Sequence, residues 1–395
     1  MKDLCFLRPE DSGAFGSVTG AAWSVSGRVE VKLKEEGSKV TIRCVQDADN
    51  FAEFLLLRTE EGVCALRRNI TRQGTRMQAT GNERVLNSLQ DCEDFSADFH
   101  LLTVDGWVYL FLREPGRHML LATSYAVDWH CSAPYLEVTE GARAVFSHLR
   151  EENDPAAVRE LYRRLAVSGE VKGTAKLLFL GNSCIFFYDT PNTFSRLARL
   201  AGYLAEVDTV AKSSAYLSQF DDPETYVGAL ANARLAKGWD RVILQDNSNI
   251  LRDEERTTAA RKAVRSLTDK VRAAGSEPVL YVRPTTNNYK DGRTPVSFSR
   301  QLDEFYLPLS GEKNALCCFA NRAFALAYRE TGINLWHTDN AHQSEKGSYL
   351  AACVLFSTLF GVSCRELDDN GLPPEEAKAL RDVAHRVVLE GVIPW

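Results

Sequence analysis

The chain has no uncharged apolar stretch of about 18 residues, the length a membrane-spanning helix needs, no basic run, and no cysteine pair in C-x-x-C spacing. The first absence excludes a membrane-spanning helix. The second, with a formal net charge of −6, gives no reason to expect nucleic acid as a partner. The third removes the common zinc and dithiol patterns. The ten cysteines, Cys5, Cys44, Cys64, Cys92, Cys131, Cys184, Cys317, Cys318, Cys353 and Cys364, are scattered without metal-ligand spacing. They read as reduced, mostly buried small hydrophobic residues, with Cys317 and Cys318 at a helix start. The opening Met1-Lys-Asp-Leu-Cys-Phe-Leu-Arg-Pro9 is too short in apolar residues for a signal-peptide core, so a cytoplasmic location is expected. No internal repeat or low-complexity segment interrupts the chain.

What is present is 395 residues with 45% hydrophobic and 25% charged content, an ordinary balance for one large or two smaller globular domains. From Arg28 to about Val145 the pattern has period two, as in Val29-Glu-Val-Lys-Leu-Lys34, Val40-Thr-Ile-Arg-Cys44 and Phe54-Leu-Leu-Leu-Arg58. Turn signals separate the runs at Glu35-Glu-Gly-Ser38, Glu60-Glu-Gly62 and Asp105-Gly106. Residues 1–150 therefore read as an antiparallel β-sandwich or barrel. Its aromatics Trp107, Tyr109, Tyr125, Trp129 and Tyr135 either fill the core or stack on sugar rings; His118, His130 and Cys131 show no ligand spacing and read as structural.

Residues 151–172 form a helical linker. Pro155 to Leu165 is amphipathic, with Asp154 placed as its N-cap. From 173 to 395 strand and helix patterns alternate, with strands at 176–180, 206–210, 241–245, 278–282 and 333–336. Helices lie near 191–204, 223–237, 254–274 and 313–331, then 344–361 and 374–390. That alternation implies a flavodoxin-like three-layer α/β/α domain with a parallel sheet. Its first unit, Lys176-Leu-Leu-Phe-Leu-Gly-Asn-Ser183, runs a buried strand into a loop ending on a hydroxyl, with Gly181 allowing a sharp turn and Pro191 near the next helix start. Such loops are where open α/β sheets place ligands and catalytic groups.

Two further polar clusters are expected at the same sheet edge: Leu244-Gln-Asp-Asn-Ser248 and His337-Thr-Asp-Asn-Ala-His342. A serine nucleophile needs a base, and the base needs a carboxylate to fix its tautomer; Asp339 and His342 suit those parts. His337 reads as exposed loop or as a residue supporting the triad from behind. Cys184 has no base of its own and reads as a packing residue. Gln245, Asp246 and Ser248 remain alternatives to Asn247 as the functional polar group.

Taken together, Gly181-Asn-Ser183, Asn247 and Asp339-x-x-His342 followed by Ser344-Glu-Lys-Gly-Ser-Tyr-Leu-Ala-Ala resemble the SGNH hydrolases, also called GDSL esterases and lipases, over about residues 173–395. The resemblance implies Ser183 as nucleophile, His342 as base and Asp339 as orienting carboxylate. It implies an oxyanion hole made by the Ser183 N–H, a second-block N–H and the Asn247 side chain. The second block, Val210-Ala-Lys-Ser-Ser-Ala-Tyr-Leu217, has Ser213 and Ser214 where the family has glycine, and Ser213 is taken as the donor. Phe186, Phe187, Tyr188 and Arg283 are candidate substrate contacts, with Thr285 and Thr286 on the same edge. No metal or organic cofactor is implied. The expected activity is hydrolysis of short acyl esters, especially O-acetyl groups on carbohydrates, with the β-domain recognising or covering the substrate. The serines of the second block feed an alternative: a catalytically weak or inactive relative that binds glycans or glycoconjugates through its β-domain.

Overall fold

The computed structural model describes residues 4–18, 20–58, 64–76, 84–85, 94–113, 121–126, 134–289 and 292–395. The expected turn at Glu60-Glu-Gly62 and residues Cys92, His118, Trp129, His130 and Cys131 lie outside them, as do the side chains of Cys64 and Tyr125. The chain divides into two compact units, the first ending at Val171 and the second running from Lys172 to Trp395.

The first unit is built from two antiparallel sheets. One runs, in spatial order, Leu4–Phe6, Ala142–Glu152, Trp23–Leu33, Asp94–Val104, Trp107–Arg113 and Leu121–Ala126. The other runs Gly13–Ala14, Tyr135–Val138, Lys39–Asp47, Asn50–Arg58 and Cys64–Arg72, the last pairing with both Thr75–Arg76 and Arg84–Val85. Phe15, beside the Gly13–Ala14 strand, stacks on Phe146 of the first sheet with ring centroids 4.9 Å apart, so the two sheets share an aromatic core. This is a sandwich, not a closed barrel.

Asp105 and Gly106 both have positive φ, +51° and +81°, and join strands paired Val104 to Trp107. That is the two-residue hairpin the Asp-Gly signal predicts. Trp107 and Tyr109 are 5% and 1% exposed, and Tyr109 packs on Tyr162 of the helix Pro155–Ala166 at 4.6 Å. Both rings are core material. Among the described aromatics of that group, Tyr135 is exposed. Asp154 caps the helix through Ala156 and Ala157 N–H, and Arg159 pairs with Asp105 at 2.8 Å.

The second unit carries a five-stranded parallel sheet. Numbered from its start, the strands are β1 (Gly173–Gly181), β2 (Tyr203–Ala211), β3 (Arg241–Leu244), β4 (Glu277–Val282) and β5 (Leu316–Phe319). Their spatial order is β2-β1-β3-β4-β5, the flavodoxin-like winding. Side chains on both faces are buried: Leu177, Phe179 and Ile243 point to one layer, Leu178, Leu180 and Val242 to the other. Helices Thr190–Leu200, Ala320–Glu330, Glu345–Phe360 and Pro374–Val388 pack on the first face. Helices Leu217–Asp221, Tyr226–Leu235, Glu254–Ala273 and Pro295–Lys313 complete the unit.

The sequence reading misplaced the last strand. Residues 333–336 make only an isolated bridge, Trp336 to Gln343, and the sheet edge is filled by Leu316–Phe319, in register with β4 from Val279 to Leu316 through Val282 to Phe319. Cys317 and Cys318 thus lie in a strand, not at a helix start. An apolar run of this length fits either state by local pattern, and the open edge of β4 decides it. Helix Pro295–Lys313 was not anticipated; Pro308 lies inside it, a residue that argues against helix locally. Of the described cysteines Cys5 is exposed and Cys44, Cys184, Cys317, Cys318, Cys353 and Cys364 are buried. Among the described residues no helix is long and apolar enough to cross a membrane, and no group of three or more His, Cys, Asp or Glu could hold a metal ion.

Candidate active site

Parallel register brings the loops together. Val210, Leu180, Leu244 and Leu280 stand in one row across β2, β1, β3 and β4. Three residues beyond that row lie Ser213, Ser183, Asn247 and Arg283. Adjacent strands are about 4.8 Å apart, so four strand ends deliver these residues side by side at the carboxyl edge.

Gly181 serves close approach rather than a sharp turn. It has no positive φ, and a Cβ there would sit 2.6 Å from Gln245 Oε1. That oxygen accepts the Asn182 N–H at 2.9 Å. Asn182 in turn caps the short helix Ser183–Phe186 by accepting the Cys184 N–H at 3.1 Å, while its amide donates to Ala215 O at 2.8 Å. Ser183 is the first residue of that helix, so its N–H is one of the donors a helix start leaves without an intrahelical partner.

His342 reaches Ser183 from a loop closed by the Trp336 to Gln343 bridge and by His337 N–H donating to His342 O at 3.0 Å. Its Nε2 lies 2.9 Å from Ser183 Oγ, and its Nδ1 lies 2.6 Å from Asp339 Oδ2. Asp339 Oδ1 accepts the N–H groups of Ala341 at 2.9 Å and His342 at 3.0 Å. Burial raises the Asp339 carboxyl, but the hydrogen bonds from the His342 ring, the His342 N–H and the Ala341 N–H outweigh it and hold it at about 2. An ionised Asp339 makes Nδ1 the protonated nitrogen and leaves Nε2 free to accept from the serine hydroxyl. The arrangement can therefore take a proton from Ser183.

The sequence missed two features that hold this geometry. Gln343, 2% exposed, donates through Nε2 to Cys184 O at 2.9 Å and Phe187 O at 3.1 Å, tying the histidine loop to the serine turn. Nothing local marks it except its place after His342. The Phe187 ring lies face to face with the imidazole of His342, centroids 3.9 Å apart and planes 6° apart. Phe187 thus packs on the base, with His337 against its edge at 5.7 Å. Tyr188, left-handed at φ +50°, lies near His337 with centroids 6.1 Å apart. Phe186 is a correction: at 1% exposed it belongs to the core and cannot line a substrate pocket.

At the second block Ser214, rather than Ser213, has the left-handed backbone that glycine favours, with φ +60°. Both serines are exposed. Asn247 Nδ2 donates to Ser214 O at 2.8 Å and more weakly to Ala215 O at 3.4 Å, so the third-block amide is bound to the second-block turn. Asp246 underpins both: its Oδ1 accepts the N–H of Asn247 at 2.7 Å and of Leu217 at 2.9 Å. Burial pushes its carboxyl up to about 6 despite those two bonds. Arg283 is also a correction. It is 1% exposed and enclosed near Tyr281 and Tyr306, whose hydroxyls burial pushes well up, so it lies beneath the surface instead of presenting itself to substrate. Thr285 and Thr286 are buried too, and Trp336 Nε1 donates to Thr285 O at 2.7 Å.

Fold and site together define a class: a doubly wound α/β domain with Ser, His and Asp hydrogen-bonded in series at the carboxyl edge of its sheet. No family model and no curated protein matches the chain. Among solved structures it is similar to a candidate SGNH hydrolase from Slackia heliotrinireducens, at 30% identity and TM-score 0.39, covering 47% of this chain and 99% of that one. A DUF4886 family protein from Bacteroides uniformis has 14% identity and TM-score 0.47, covering 55% of this chain and 96% of that one. A variant of a Geobacillus acetyl-xylooligosaccharide esterase has 14% identity and TM-score 0.37, with coverage of 49% and 96%. A lipolytic protein of the G-D-S-L family from Desulfitobacterium hafniense has 16% identity and TM-score 0.36, covering 47% of this chain and 99% of that one.

Proposed function

We propose that the second unit is a serine esterase acting on short-chain acyl esters, with O-acetyl groups on carbohydrates as its substrate class. The observation that carries this reading is the unbroken series Ser183 Oγ, His342 Nε2, His342 Nδ1, Asp339 Oδ2, with separations of 2.9 Å and 2.6 Å at its two hydrogen bonds. His342 takes the Ser183 proton as the hydroxyl oxygen attacks the ester carbonyl, and Asp339 stabilises the imidazolium. The tetrahedral oxyanion is met by the Ser183 N–H, by a second-block N–H from the Ser213–Ser214 turn, and by Asn247 Nδ2. One Asn247 hydrogen stays on Ser214 O; the other, in the weaker contact where Nδ2 lies 3.4 Å from Ala215 O, is the one given to the oxyanion. His342 then protonates the departing alcohol, and water activated by the same ring cleaves the acyl-enzyme. The carbohydrate preference rests on the family resemblance of the motifs.

The test is turnover of p-nitrophenyl acetate and butyrate, and labelling by a fluorophosphonate, in the wild type and in Ser183→Ala. Wild-type turnover and labelling that both vanish in Ser183→Ala are expected. An unlabelled wild type without turnover would sink the reading and leave the glycan-binding alternative.

A further inference from the structure

A cavity of about 270 Å³ lies where Tyr216 and Ser218, around the end of the second block, meet Asp246 and the start of helix Glu254–Ala273, with Asp253, Glu255 and Arg256 in its wall. That is the liquid volume of about nine waters, room for a small organic molecule.

Asp246 sets its chemistry. The residue is 1% exposed, and its two carboxylate oxygens are used differently. Oδ1 accepts the N–H groups of Asn247 and Leu217, whereas Oδ2 is buried without a hydrogen-bond partner. No cation pairs with Asp246 among the described residues, and burial lifts its carboxyl to about 6. A buried acceptor left without a donor costs stability.

The other charges in the wall do not supply that donor. Arg256 is committed to Asp253, 2.6 Å away, and Asp253 also caps the helix by accepting the Arg256 N–H at 2.9 Å. Glu255 is exposed and pairs with no cation among the described residues. Two carboxylates, Asp246 on the floor and Glu255 at the rim, are thus left without a counter-charge, and Tyr216 and Ser218 add hydroxyls. No group of three or more described His, Cys, Asp or Glu side chains could hold a metal ion. The cation this wall suits is therefore an organic ammonium, whose three N–H donors can be shared among separate acceptors.

The floor of the cavity also braces the candidate active site. Asp246 Oδ1 holds Asn247 and Leu217, and the Asp246 carbonyl accepts from Gln245 Nε2. Gln245 Oε1 in turn accepts the N–H of Asn182, the residue before Ser183.

We propose that this cavity is a binding site, separate from the ester site, for a small primary amine bearing hydroxyl groups, whose ammonium docks on Asp246 and Glu255 and raises turnover by bracing Asp246. The binding stands by itself; its effect on turnover rests on the esterase reading.

Binding is measured by calorimetry on the full chain carrying Ser183→Ala, with glucosamine in its ammonium form and glucose as probes matched in size and hydroxyls. Glucosamine is expected to bind roughly 10-fold tighter, the worth of one hydrogen bond to a charged group. Glu255→Gln should remove part of that advantage and Asp246→Asn nearly all of it. Glu255 is exposed, so its variant is expected to melt like the parent and decides the case in which Asp246→Asn does not fold. Equal binding of the two sugars, no binding of either, or an advantage unchanged in both variants would overturn the site. In the wild type, saturating glucosamine should raise p-nitrophenyl acetate turnover, corrected for the Ser183→Ala background, by about 5-fold, the low end of ordinary coupling between two sites; glucose should leave it unchanged. Corrected turnover that does not respond to glucosamine would overturn the coupling. A wild type with no Ser183-dependent turnover at all would fault the esterase reading, whereas the calorimetry judges the amine site alone.

Discussion

The imidazole of His342 is held by three different interactions: a hydrogen bond to the Asp339 carboxylate, a hydrogen bond to Ser183, and the face of Phe187. Each restricts a different freedom of the ring. Asp339 sets its tautomer and tilt, so Asp339→Asn is expected to lower kcat by roughly 10³–10⁴ with the fold intact, by analogy with other Ser-His-Asp sites. The carboxyl is held below its ordinary 3.8, at about 2. Its contribution to stability is therefore complete above about pH 4 and disappears as pH falls through about 2. Melting curves of wild type and Asp339→Asn should converge over that window. Phe187 limits rocking of the ring and faces the imidazolium that forms during attack. Phe187→Leu should reduce kcat several-fold with KM little changed, and Phe187→Tyr should retain most of the rate; a rise in KM alone would show the ring lining the substrate instead.

At the scale of elements, the site depends on how strand ends interlock. Gly181 leaves room for Gln245, whose oxygen fixes the Asn182 N–H and through it the cap of the serine helix. Gly181→Ala would force a contact of 2.6 Å onto Gln245, with an expected loss of about 1–3 kcal/mol, the usual range for overpacking, and slower fluorophosphonate labelling. Asp246, two residues beyond the end of β3, has a fully buried carboxyl raised from 3.8 to about 6. Ionising it costs stability as pH climbs through that interval, the reverse of Asp339. The melting temperature of Asp246→Asn relative to wild type should therefore improve between about pH 4 and pH 6 and stay level above it. Most of these elements were legible in the sequence. The buried run ending at Gly181, the cap Asp154, and the Asp-Gly hairpin all carry their signal within a few residues. Leu316–Phe319 was not legible, because its strand state comes from the free edge of β4 and not from its own pattern.

For the molecule as a whole, every hydrogen bond named at the site joins residues between Lys172 and Trp395, one of the two compact units. A fragment spanning those residues is expected to fold and to keep Ser183-dependent labelling, checked by circular dichroism and a fluorophosphonate gel; a fragment that folds but does not label would give the β-sandwich a part in the chemistry. The alternation of strand and helix in this half, and the placement of Ser183, Asn247, Asp339 and His342 in polar stretches after apolar ones, were determined by the sequence alone, since periodicity and short motifs are local properties. The side chains that complete or leave the site were decided only by tertiary structure. Gln343 bridges to Cys184, Phe187 turns onto His342, Phe186 enters the core, and Arg283 is enclosed near Tyr281 and Tyr306. Each outcome depends on a partner distant in the chain, and local pattern carries no record of which distant surface a side chain will meet.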